Sequence, residues 1–504
     1  MKNWVKGSIL AVMLAVGGFA GTAEAGGGEF KFAEEVKLIS LDPQQIAGGG
    51  ISYLRPVYET LLARTPEDGI APLLATGYEV DGLTVTLTLR EDVKFSDGER
   101  FDAKAVVASL MRGKEVGILT ALKPIEKAEA VDDFTVKITL ASPAPSLLSD
   151  FTSAPGMIIS PKALEDPALD RNPVGTGPYV YNKEESREGE VRVYTPNPDY
   201  WDPDMIGLDR VEIWEMPDNT ARFNALKTGQ VDAGIWLANP QSAIIDKTPG
   251  LKLVQNGGGV SYFISILDRE GTKVPAFGDV RVRQAIYYAI DRDAYVQAVD
   301  FGLSVPAFQP YPKGTWPHEP SLEGRYTYDL VKARALMKEA GYEEGFEFDM
   351  PSIPIFQPRL EALQGFLRDI NITMNIVPVE PGTLARRSRT TDFPATNLVW
   401  NGARDPHYLT LWATAENAAF NPFKVKPSET MAKLSKEGVE AVGPEARAPF
   451  YRDMAKELAD EAYMIFISAT PVLFGVREEV INNPTLKYRP GEDTVYLRGL
   501  KMDN

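Results

Sequence analysis

The sequence predicts an α/β protein whose two lobes are joined by two strands. The chain has 504 residues, more than one ordinary hydrophobic core holds, and this length suggests two or three domains. Helix patterns alternate with strand patterns from residue 262 onwards. Pro/Gly/Ser-rich linkers are absent from the sequence, so we expect the chain to cross between the lobes through ordered strands at residues 260–266 and 464–473.

The N-terminal residues 1–25 have the pattern of a secretory signal peptide. Lys2 and Lys6 precede the apolar run 9–16, and residues 23–25 (Ala-Glu-Ala) match the cleavage pattern of small residues. The apolar run is too short to span a bilayer, and no later segment approaches the roughly 20 apolar residues that a spanning helix needs. A buried or anchoring N-terminal helix is the alternative. We expect the mature protein to be periplasmic, without direct membrane insertion.

Composition narrows the classes of function. The chain contains no cysteine, which excludes disulfides, thiolate metal sites and a cysteine nucleophile. It also lacks the cysteine that a bacterial lipoprotein needs for its lipid anchor, which favours a free protein over a tethered one. Its 53 Lys and Arg against 70 Asp and Glu give a net charge of −17. Such a surface repels nucleic acid. We therefore expect a free monomer that binds no nucleic acid and needs no cofactor.

The first segment after the signal peptide has a strand, a loop and a helix pattern. We expect strand structure at residues 30–33 and 36–39, followed by a turn at Asp42-Pro43, where proline fixes φ. Residues 53–62 have the pattern of a helix.

A β unit with one helix follows. Apolar and polar residues alternate over residues 83–90 and again over 134–140, which is the period of a half-buried strand. Asp102 can cap a helix between these two segments. Two antiparallel ribbons around one helix predict a subdomain near residues 52–165.

Further elements are predicted from caps, stops and periodicity. Asp279 and Asp329 precede apolar helix faces, and Asp218 or Asn219 begins a helix that Gly229 ends. Helices are also expected at residues 359–369 and 447–462, and strands at 190–194, 211–216, 372–379, 398–400 and 464–468.

Four sequence blocks carry a family resemblance. Residues 172–179 read N-P-V-G-T-G-P-Y, whose glycines and prolines favour a rigid turn before a strand. The other blocks are residues 83–110, 277–292 (F-G-D-V-R-V-R-Q-A-I-Y-Y-A-I-D-R) and 328–342 (Y-D-L-V-K-A-R-A-L-M-K-E-A-G-Y). Together they resemble the family 5 extracellular solute-binding proteins, the dipeptide, oligopeptide and nickel receptors of ABC importers. The sequence departs from that family at residues 104–105 (Lys-Ala), where Glu/Asp-Asp is usual.

The resemblance implies a type II periplasmic binding protein fold with an extra subdomain on the first lobe. Lobe I would comprise residues 26–260 and 472–504, and lobe II residues 261–471. It also implies a receptor and not an enzyme. Such a receptor binds a short peptide or another small polar or anionic solute between the lobes and delivers it to the permease subunits of an ABC importer. Residues 197–201 (N-P-D-Y-W) are interpreted as an aromatic packing motif of the scaffold.

The candidate ligand segment is residues 399–407, because it follows a predicted strand and would face the cleft. Trp400 either stacks on the ligand or packs in the core. Asn401 follows it directly, and Asp405 stands before a proline that shapes the loop.

This segment differs from that of the peptide-binding members. The resemblance implies that they carry, after the matching Trp, an Asp that pairs with the α-ammonium of the peptide. Gly402 or Ala403 occupies that place here, and a cation, Arg404, comes next. Arg404 would bind a carboxylate or another oxyanion of the ligand, or else form an ion pair within the protein.

Other candidates surround this segment. Arg386, Arg387 and Arg389 precede it and either add positive potential to the cleft or form a solvated helix face. Tyr53 and Tyr262 are expected to line the cleft, because one opens the first predicted helix and the other begins the hinge.

Metal binding is poorly supported by the sequence. His318 and His407 are the only histidines, too few for a multi-His metal cage. His407 is a ligand candidate through its closeness to Trp400, and a satisfied loop histidine is the alternative. We predict no metal ligands, although a chelated metal could be carried as part of a solute.

Two other classes of function remain open. A secreted hydrolase would need a catalytic motif, and G-x-S-x-G, H-E-x-x-H, phosphate-loop and G-x-G-x-x-G patterns are absent from the sequence. A periplasmic chaperone or sensor partner of the same fold is the other alternative.

Overall fold

The computed structural model describes residues 27–46, 50–65, 68–235, 237–380, 383–401, 405–480 and 495–502, without the side chains of residues 256–258 and 401. The strands are β1 (Gly28–Glu34), β2 (Leu62–Arg64), β3 (Ile70–Pro72), β4 (Ala75–Asp81), β5 (Thr84–Leu89), β6 (Ile125–Ala130), β7 (Thr135–Leu140), β8 (Tyr179–Arg187), β9 (Val191–Pro196), β10 (Leu208–Glu215), β11 (Ala233–Ile235), β12 (Leu251–Ile266), β13 (Val305–Pro306), β14 (Phe346–Ser352), β15 (Ile372–Pro378), β16 (Ala395–Asn401) and β17 (Met464–Arg477).

The α-helices are α1 (Ala103–Val116), α2 (Leu147–Asp150), α3 (Pro161–Leu164), α4 (Asn219–Thr228), α5 (Asn239–Ile245), α6 (Val280–Ala289), α7 (Arg292–Val299), α8 (Leu330–Glu339), α9 (Gln357–Arg368), α10 (Leu384–Arg387), α11 (His407–Leu409), α12 (Glu429–Glu440) and α13 (Pro444–Glu461). A π-helical turn (Thr410–Thr414) continues α11. Single 3-10 turns lie at Pro43–Gln45, Ile51–Tyr53, Thr120–Leu122, Ala154–Gly156, Pro203–Met205, Pro275–Gly278, Pro320–Leu322, Pro354–Phe356 and Glu478–Val480.

One sheet runs through both lobes. Within the described residues its strand order is β16-β12-β17-β11-β1-β10-β9-β8, and β13 also pairs with β17. The long strands β12 and β17 are antiparallel neighbours from Leu251, opposite Arg477, to Ser265, opposite Met464. The two crossing strands predicted from the sequence are therefore confirmed, and both extend further than expected because their first-lobe ends are also paired.

Two groups of buried apolar side chains define the lobes. The first lobe draws its core from residues 30–251 and 472–500, and the second lobe from residues 262–467. Burial of apolar surface contributes about 25 cal/mol per Å², so each group can hold its own lobe together. The chain passes from one core to the other only along β12 and β17 in the described residues, and these strands form the hinge.

A four-stranded antiparallel sheet in the order β4-β5-β7-β6 forms a subdomain of the first lobe. Val85, Leu87 and Leu89 of β5 are buried on one face, as their alternation predicts. Helix α1 packs on this sheet and begins at Asp102, whose carboxylate accepts the N–H of Ala105 at 2.9 Å.

The predicted helix caps are also confirmed. The side chains of Asp218, Asp279 and Asp329 accept backbone N–H groups at the starts of α4, α6 and α8. Gly229, with φ of 75°, ends α4 in the left-handed conformation that glycine adopts without strain.

The helix predicted at residues 53–62 is wrong. A single 3-10 turn, Ile51–Tyr53, reaches the start of this segment. No helix continues from it, because Pro56 lacks an N–H and the following backbone has partners outside the segment. The carbonyls of Pro56 and Val57 accept from Tyr179 N at 3.0 Å and from Gly177 N at 2.7 Å. These bonds tie the segment to the turn at residues 172–179.

The second strand segment predicted at residues 36–39 is also wrong. The Glu34 side chain accepts the N–H groups of Glu35 at 3.0 Å and Val36 at 3.3 Å. These bonds turn the chain out of the sheet, so β1 ends at Glu34.

Candidate functional site

The first lobe presents the carboxyl ends of its parallel strands to the second lobe. Strand β1 pairs in parallel with β10 and β11, and the three end at Glu34, Glu215 and Ile235. Ile235 pairs with Phe474 of β17, on the side where that strand comes from the second lobe. Ligands of open α/β sheets bind in the crevice outside such carboxyl ends.

The second lobe presents a strand end to the same crevice. Strand β16 is antiparallel to β12 and ends where Asn401 pairs with Val260, at the point where β12 enters the second lobe. The C-terminal end of β16 therefore lies on the side of the first lobe. The crevice between these edges is the candidate functional site.

Hydrogen bonds outside the hinge strands also join the two lobes. Each has one partner in the first lobe and one in the second. They link Trp316 N with Asp68 Oδ2 (3.4 Å), Arg447 Nη1 with Pro145 O (3.2 Å), Tyr408 Oη with Asp150 Oδ1 (3.1 Å) and Asn239 Nδ2 with Asp300 Oδ1 (3.3 Å). The lobes therefore contact each other directly as well as through the hinge strands.

A buried ion pair holds Asp405, which follows β16 in the chain. Arg447 donates from Nη1 to Asp405 Oδ2 at 2.7 Å and from Nη2 to Asp405 Oδ1 at 2.8 Å, and both residues are buried. Burial works against the charge of Arg447, but the hydrogen bonds and the charge of Asp405 outweigh it and raise the pKa of the guanidinium. The guanidinium is therefore charged at neutral pH, and its two bonds hold Asp405 against α13.

A second ion pair, in which only Asp300 is fully buried, lies beside the hinge. Arg359 Nη2 lies 2.7 Å from Asp300 Oδ1, and the guanidinium stands over the ring of Tyr262 at 5.0 Å. Asn239 from the first lobe donates to the same Asp300 oxygen at 3.3 Å. Asp300 Oδ2 and the Tyr262 hydroxyl are buried without a hydrogen-bond partner in the described part of the chain. The cluster is therefore a polar contact between the two lobes.

A cavity of about 720 Å³ borders both hinge strands. Its volume lies in the range of small-molecule sites, which is about 300–1,000 Å³. It is lined at the hinge by Gln255, Gly259, Ser261, Ala469 and Pro471, and its second-lobe wall comes mainly from residues 302–313 and 323–328. The hinge strands predicted from the sequence contribute to this lining. Among the described residues, none of the ligand-contact candidates does.

Comparison with known proteins identifies the family. The model "Bacterial extracellular solute-binding proteins, family 5 Middle" matches residues 69–421, well over half of the chain. This protein belongs to the family 5 extracellular solute-binding proteins. The resemblance seen in the sequence blocks is thereby confirmed.

A curated relative of this family 5 protein is the glutathione-binding protein GsiB of Salmonella paratyphi A, 34% identical over 343 residues. The match covers 65% of this chain and 65% of GsiB, so the chain spans about 65% of the length of that relative.

Solved structures support the two-lobed fold. HbpA2 of Haemophilus parasuis has a TM-score of 0.80 at 23% identity, covering 95% of this chain and 100% of that one. The periplasmic binding protein DppA of Helicobacter pylori, in complex with the peptide STSA, has a TM-score of 0.74 at 23% identity, covering 94% and 98%. These likenesses confirm the predicted type II fold.

The aromatic candidates lie in the cores of this family 5 protein. Trp400 is 1% exposed and packs edge-on against Trp412 with ring centroids 5.5 Å apart. Tyr262 stacks on Tyr295 at 6.4 Å in the second-lobe core. Tyr53 is buried in the first-lobe core, and its hydroxyl donates to Val36 O at 3.0 Å. Their roles as ligand contacts stay predictions.

The polar candidates are distributed between the interior and the surface. Asp405 is buried and paired with Arg447, and it also accepts the backbone N–H of His407 at 3.0 Å. Burial lowers the pKa of His407, whose imidazole is therefore neutral at pH 7. Arg386 is exposed on α10. The structure places Asp405 and His407 in contact, buries Trp400 against Trp412 and leaves Arg386 on the surface.

Two candidates stay outside this description. Arg404 lies outside the described residues, and of Asn401 only the backbone is described. Their predicted ligand contacts remain predictions from the sequence.

The turn and aromatic motifs of the family converge on one buried carboxylate. Glu59 accepts from Tyr200 Oη at 2.6 Å, Trp201 Nε1 at 2.8 Å and Thr176 Oγ1 at 3.3 Å, and Arg498 Nε lies 3.7 Å away. Burial raises the pKa of Glu59 against these hydrogen bonds. The motifs therefore serve the scaffold, as the sequence predicts for residues 197–201.

Several residues of the site were not predicted from the sequence. Arg447, Asp68, Asp150 and Asp300 form pairs with residues far along the chain. A single sequence carries no periodic or local signal for such pairs. The one usable cue is that Asp405 stands at the end of the candidate loop and needs a cation once it is buried.

Neither a membrane-spanning helix nor a cluster of metal ligands occurs among the described residues. No described helix has the length and hydropathy of a membrane span. No group of three or more His, Asp or Glu side chains in the described ranges is arranged to hold a metal ion.

Proposed function

We propose that this protein is a receptor that binds a small polar solute between its lobes and presents it to the permease of an ABC importer. The observation that carries the proposal is the crevice at which carboxyl ends of strands from both lobes meet across a two-stranded hinge. Membership of the family 5 solute-binding proteins supports it.

The proposed solute is a short peptide or another small organic anion. The relative GsiB is named as a glutathione-binding protein, and the structural neighbour DppA was solved with a peptide. A further neighbour, AgaA of A. tumefaciens R10, was solved with agropinic acid, which supports a class wider than peptides. Arg404 would bind a carboxylate of the solute, since a guanidinium forms two parallel hydrogen bonds with that group.

Solute binding would be coupled to closure of the lobes about the hinge, and solute release to their opening. Hydrogen bonds between the lobes, such as that of Tyr408 with Asp150, would be broken as the lobes move apart. A solute that contacts both lobes stabilises this closed state relative to the open one. The solute leaves unaltered, because the protein acts as a receptor and not as an enzyme.

We also propose that the mature protein is a periplasmic monomer. Residues 1–25 would direct export and be removed. The absence of cysteine from the sequence supports a receptor without a lipid anchor.

Thermal unfolding with a panel of probes tests the proposal. The panel contains reduced glutathione, di- to tetrapeptides and small carboxylic acids. A ligand present at 100 times its Kd adds about 2.7 kcal/mol to the free energy of unfolding, so at least one probe is expected to raise the melting temperature. An R404A variant is expected to lose much of that rise. A panel without any effect contradicts the receptor, and an unchanged response of R404A contradicts the carboxylate contact.

A further inference from the structure

Arg292, the first residue of α7, is a buried cation that has no acidic partner in the described part of the chain. It is 4% exposed, and its guanidinium donates only to backbone carbonyl oxygens, at distances of 3.0 to 3.3 Å. These carbonyls belong to Tyr287, Ile290, Ala307, Tyr326 and Phe466. Burial lowers the pKa of Arg292 to about 10, so the guanidinium is still charged at pH 7.

An uncompensated charge of this kind is unusual inside a protein. Buried cations are normally paired, because removing a charge from water is unfavourable unless an opposite charge lies nearby. The Nη2 atom of Arg292 also has no hydrogen-bond partner among the described residues. The guanidinium therefore has both the charge and the spare N–H groups that attract an anion.

Arg292 lines the cavity of about 720 Å³ that borders both hinge strands, which we call the hinge cavity. Ser261 of β12 and Tyr311 line it too, and their hydroxyls are buried without a hydrogen-bond partner in the described ranges. These two hydroxyls and Nη2 of Arg292 are the unpartnered buried polar atoms of the described lining. All three can donate a hydrogen bond, so the lining suits an occupant that has acceptor oxygens.

The rest of the lining suits an apolar body. Its apolar and aromatic side chains include those of Ile290, Leu303, Ala307, Phe308 and Tyr326. The ring centroid of Phe308 lies 5.2 Å from the guanidinium carbon of Arg292. An aromatic surface thus lies next to the buried charge.

Acidic side chains also border the hinge cavity, but they are placed differently from Arg292. Asp293 and Glu323 are exposed, so water and salt screen their charges. Asp291 caps α7 by accepting the N–H of Ala294 at 2.9 Å. The buried charge of Arg292 is screened less, so the inner wall favours a negatively charged group.

We propose that the hinge cavity is a binding site for a small carboxylate with an apolar or aromatic body. The charge of Arg292 attracts the carboxylate, and the hydroxyls of Ser261 and Tyr311 donate hydrogen bonds to oxygens of the occupant. The site goes beyond the proposed function, because its occupant is recognised at the hinge and in the second lobe without the segment 399–407.

Isothermal titration calorimetry with a matched pair of probes tests this site. 4-Bromobenzoate carries a carboxylate on an aromatic ring, and 4-bromobenzamide has nearly the same shape without the charge. We expect the acid to bind at least about tenfold more tightly than the amide, because hydrogen bonds to a charged group are the stronger ones. Equal affinities, or no binding of the acid at millimolar concentration, overturn the proposal.

Y311F and S261A test the two hydroxyls. Y311F is expected to weaken binding of 4-bromobenzoate at least about fivefold, which corresponds to one lost hydrogen bond. The melting temperature of the free protein should not fall, because the hydroxyl has no partner to lose in the described ranges. S261A is expected to behave in the same way and replaces Y311F if that variant does not fold. Unchanged affinity in these variants overturns the proposal.

Y288F is the matched control. Tyr288 lies outside the described lining of the hinge cavity, and its hydroxyl contacts Lys332 at 2.7 Å. A loss of affinity in Y288F as large as that in Y311F would show a general effect on the lobe and overturn the proposal. Arg292 itself is not substituted, because its bonds to carbonyl oxygens make it part of the scaffold.

A crystal structure with 4-bromobenzoate decides where the probe lies, because bromine is located by its anomalous scattering. We expect the bromine in the hinge cavity, with the carboxylate on the side of Arg292. Bromine found only at residues 399–407 overturns the proposal and assigns the probe to the crevice instead. The solute panel decides the receptor function separately, so failure of one proposal is distinguishable from failure of the other.

Discussion

The Tyr408 hydroxyl of the second lobe lies 3.1 Å and 3.2 Å from the two carboxylate oxygens of Asp150 in the first lobe. A hydrogen bond to a charged acceptor contributes about 1.5–3 kcal/mol when it is protected from water, and less when it is half exposed. We expect Y408F to lower the ratio of closed to open molecules roughly fivefold, measured by FRET between the lobes. Y288F is the control, because the Tyr288 hydroxyl contacts Lys332 within the second lobe. Equal closed fractions in Y408F and the parent would rule out a role for this bond.

Asp68 gives the stability a pH dependence. Burial raises the pKa of its carboxyl from 3.8 to about 6, although Arg64 lies 2.9 Å away and lowers it. The folded protein then holds the proton more tightly than the unfolded chain does. The contribution of Asp68 to the free energy of unfolding therefore falls as the pH rises from about 4 to about 6.

D68N removes this contribution. Relative to the parent, we expect its free energy of unfolding to rise by up to about 3 kcal/mol between pH 4 and pH 7, measured by urea denaturation. Asparagine suits this position, because residue 68 has φ of 64° and Asn tolerates that conformation. A parallel pH dependence of both proteins would show that Asp68 does not titrate in this range.

Glu59 is expected to be a stability determinant of the first lobe. In E59Q an amide N–H₂ faces donors from Tyr200 or Trp201, and the charge near Arg498 is lost. We expect a loss of about 2–4 kcal/mol in the free energy of unfolding, because buried donors are left without acceptors. The control E79Q changes an exposed residue and should unfold like the parent. E59Q stability within 0.5 kcal/mol of the parent, roughly the scatter of surface substitutions, would contradict this account.

Trp400 can be assigned to the core or to the ligand by comparing two variants. W400A removes a fully buried side chain next to Trp412, and we expect it to lower the free energy of unfolding by about 3–5 kcal/mol. W400F keeps most of the apolar volume and should recover much of this loss. If both variants unfold like the parent while solute binding disappears, Trp400 acts mainly on the ligand.

Local patterns of the sequence predict most of the fold. The caps at Asp102, Asp218, Asp279 and Asp329 start helices, because a short acidic side chain and its helix are neighbours in the chain. The helix predicted at residues 53–62 is wrong because its carbonyls bind Gly177 and Tyr179, more than a hundred residues away. Long-range hydrogen bonds of this kind override local preference.

The site is less predictable than the fold for the same reason. Residues 399–407 comprise the end of β16 and the positions after it, and this location at a strand end is what predicts a place in the crevice. Arg447 lies 42 residues from Asp405, and Asp150 lies 258 residues from Tyr408. Nothing in the spacing or composition of one sequence pairs such residues.

Equilibrium dialysis against the probe panel, followed by mass spectrometry of both compartments, tests the central claim most directly. The account predicts that at least one peptide or carboxylate accumulates with the protein at one molecule per chain. It also predicts that denaturation releases that solute with its mass unchanged. Equal concentrations of every probe on both sides of the membrane, or the appearance of a product with a different mass, would contradict a receptor that binds and releases its solute unaltered.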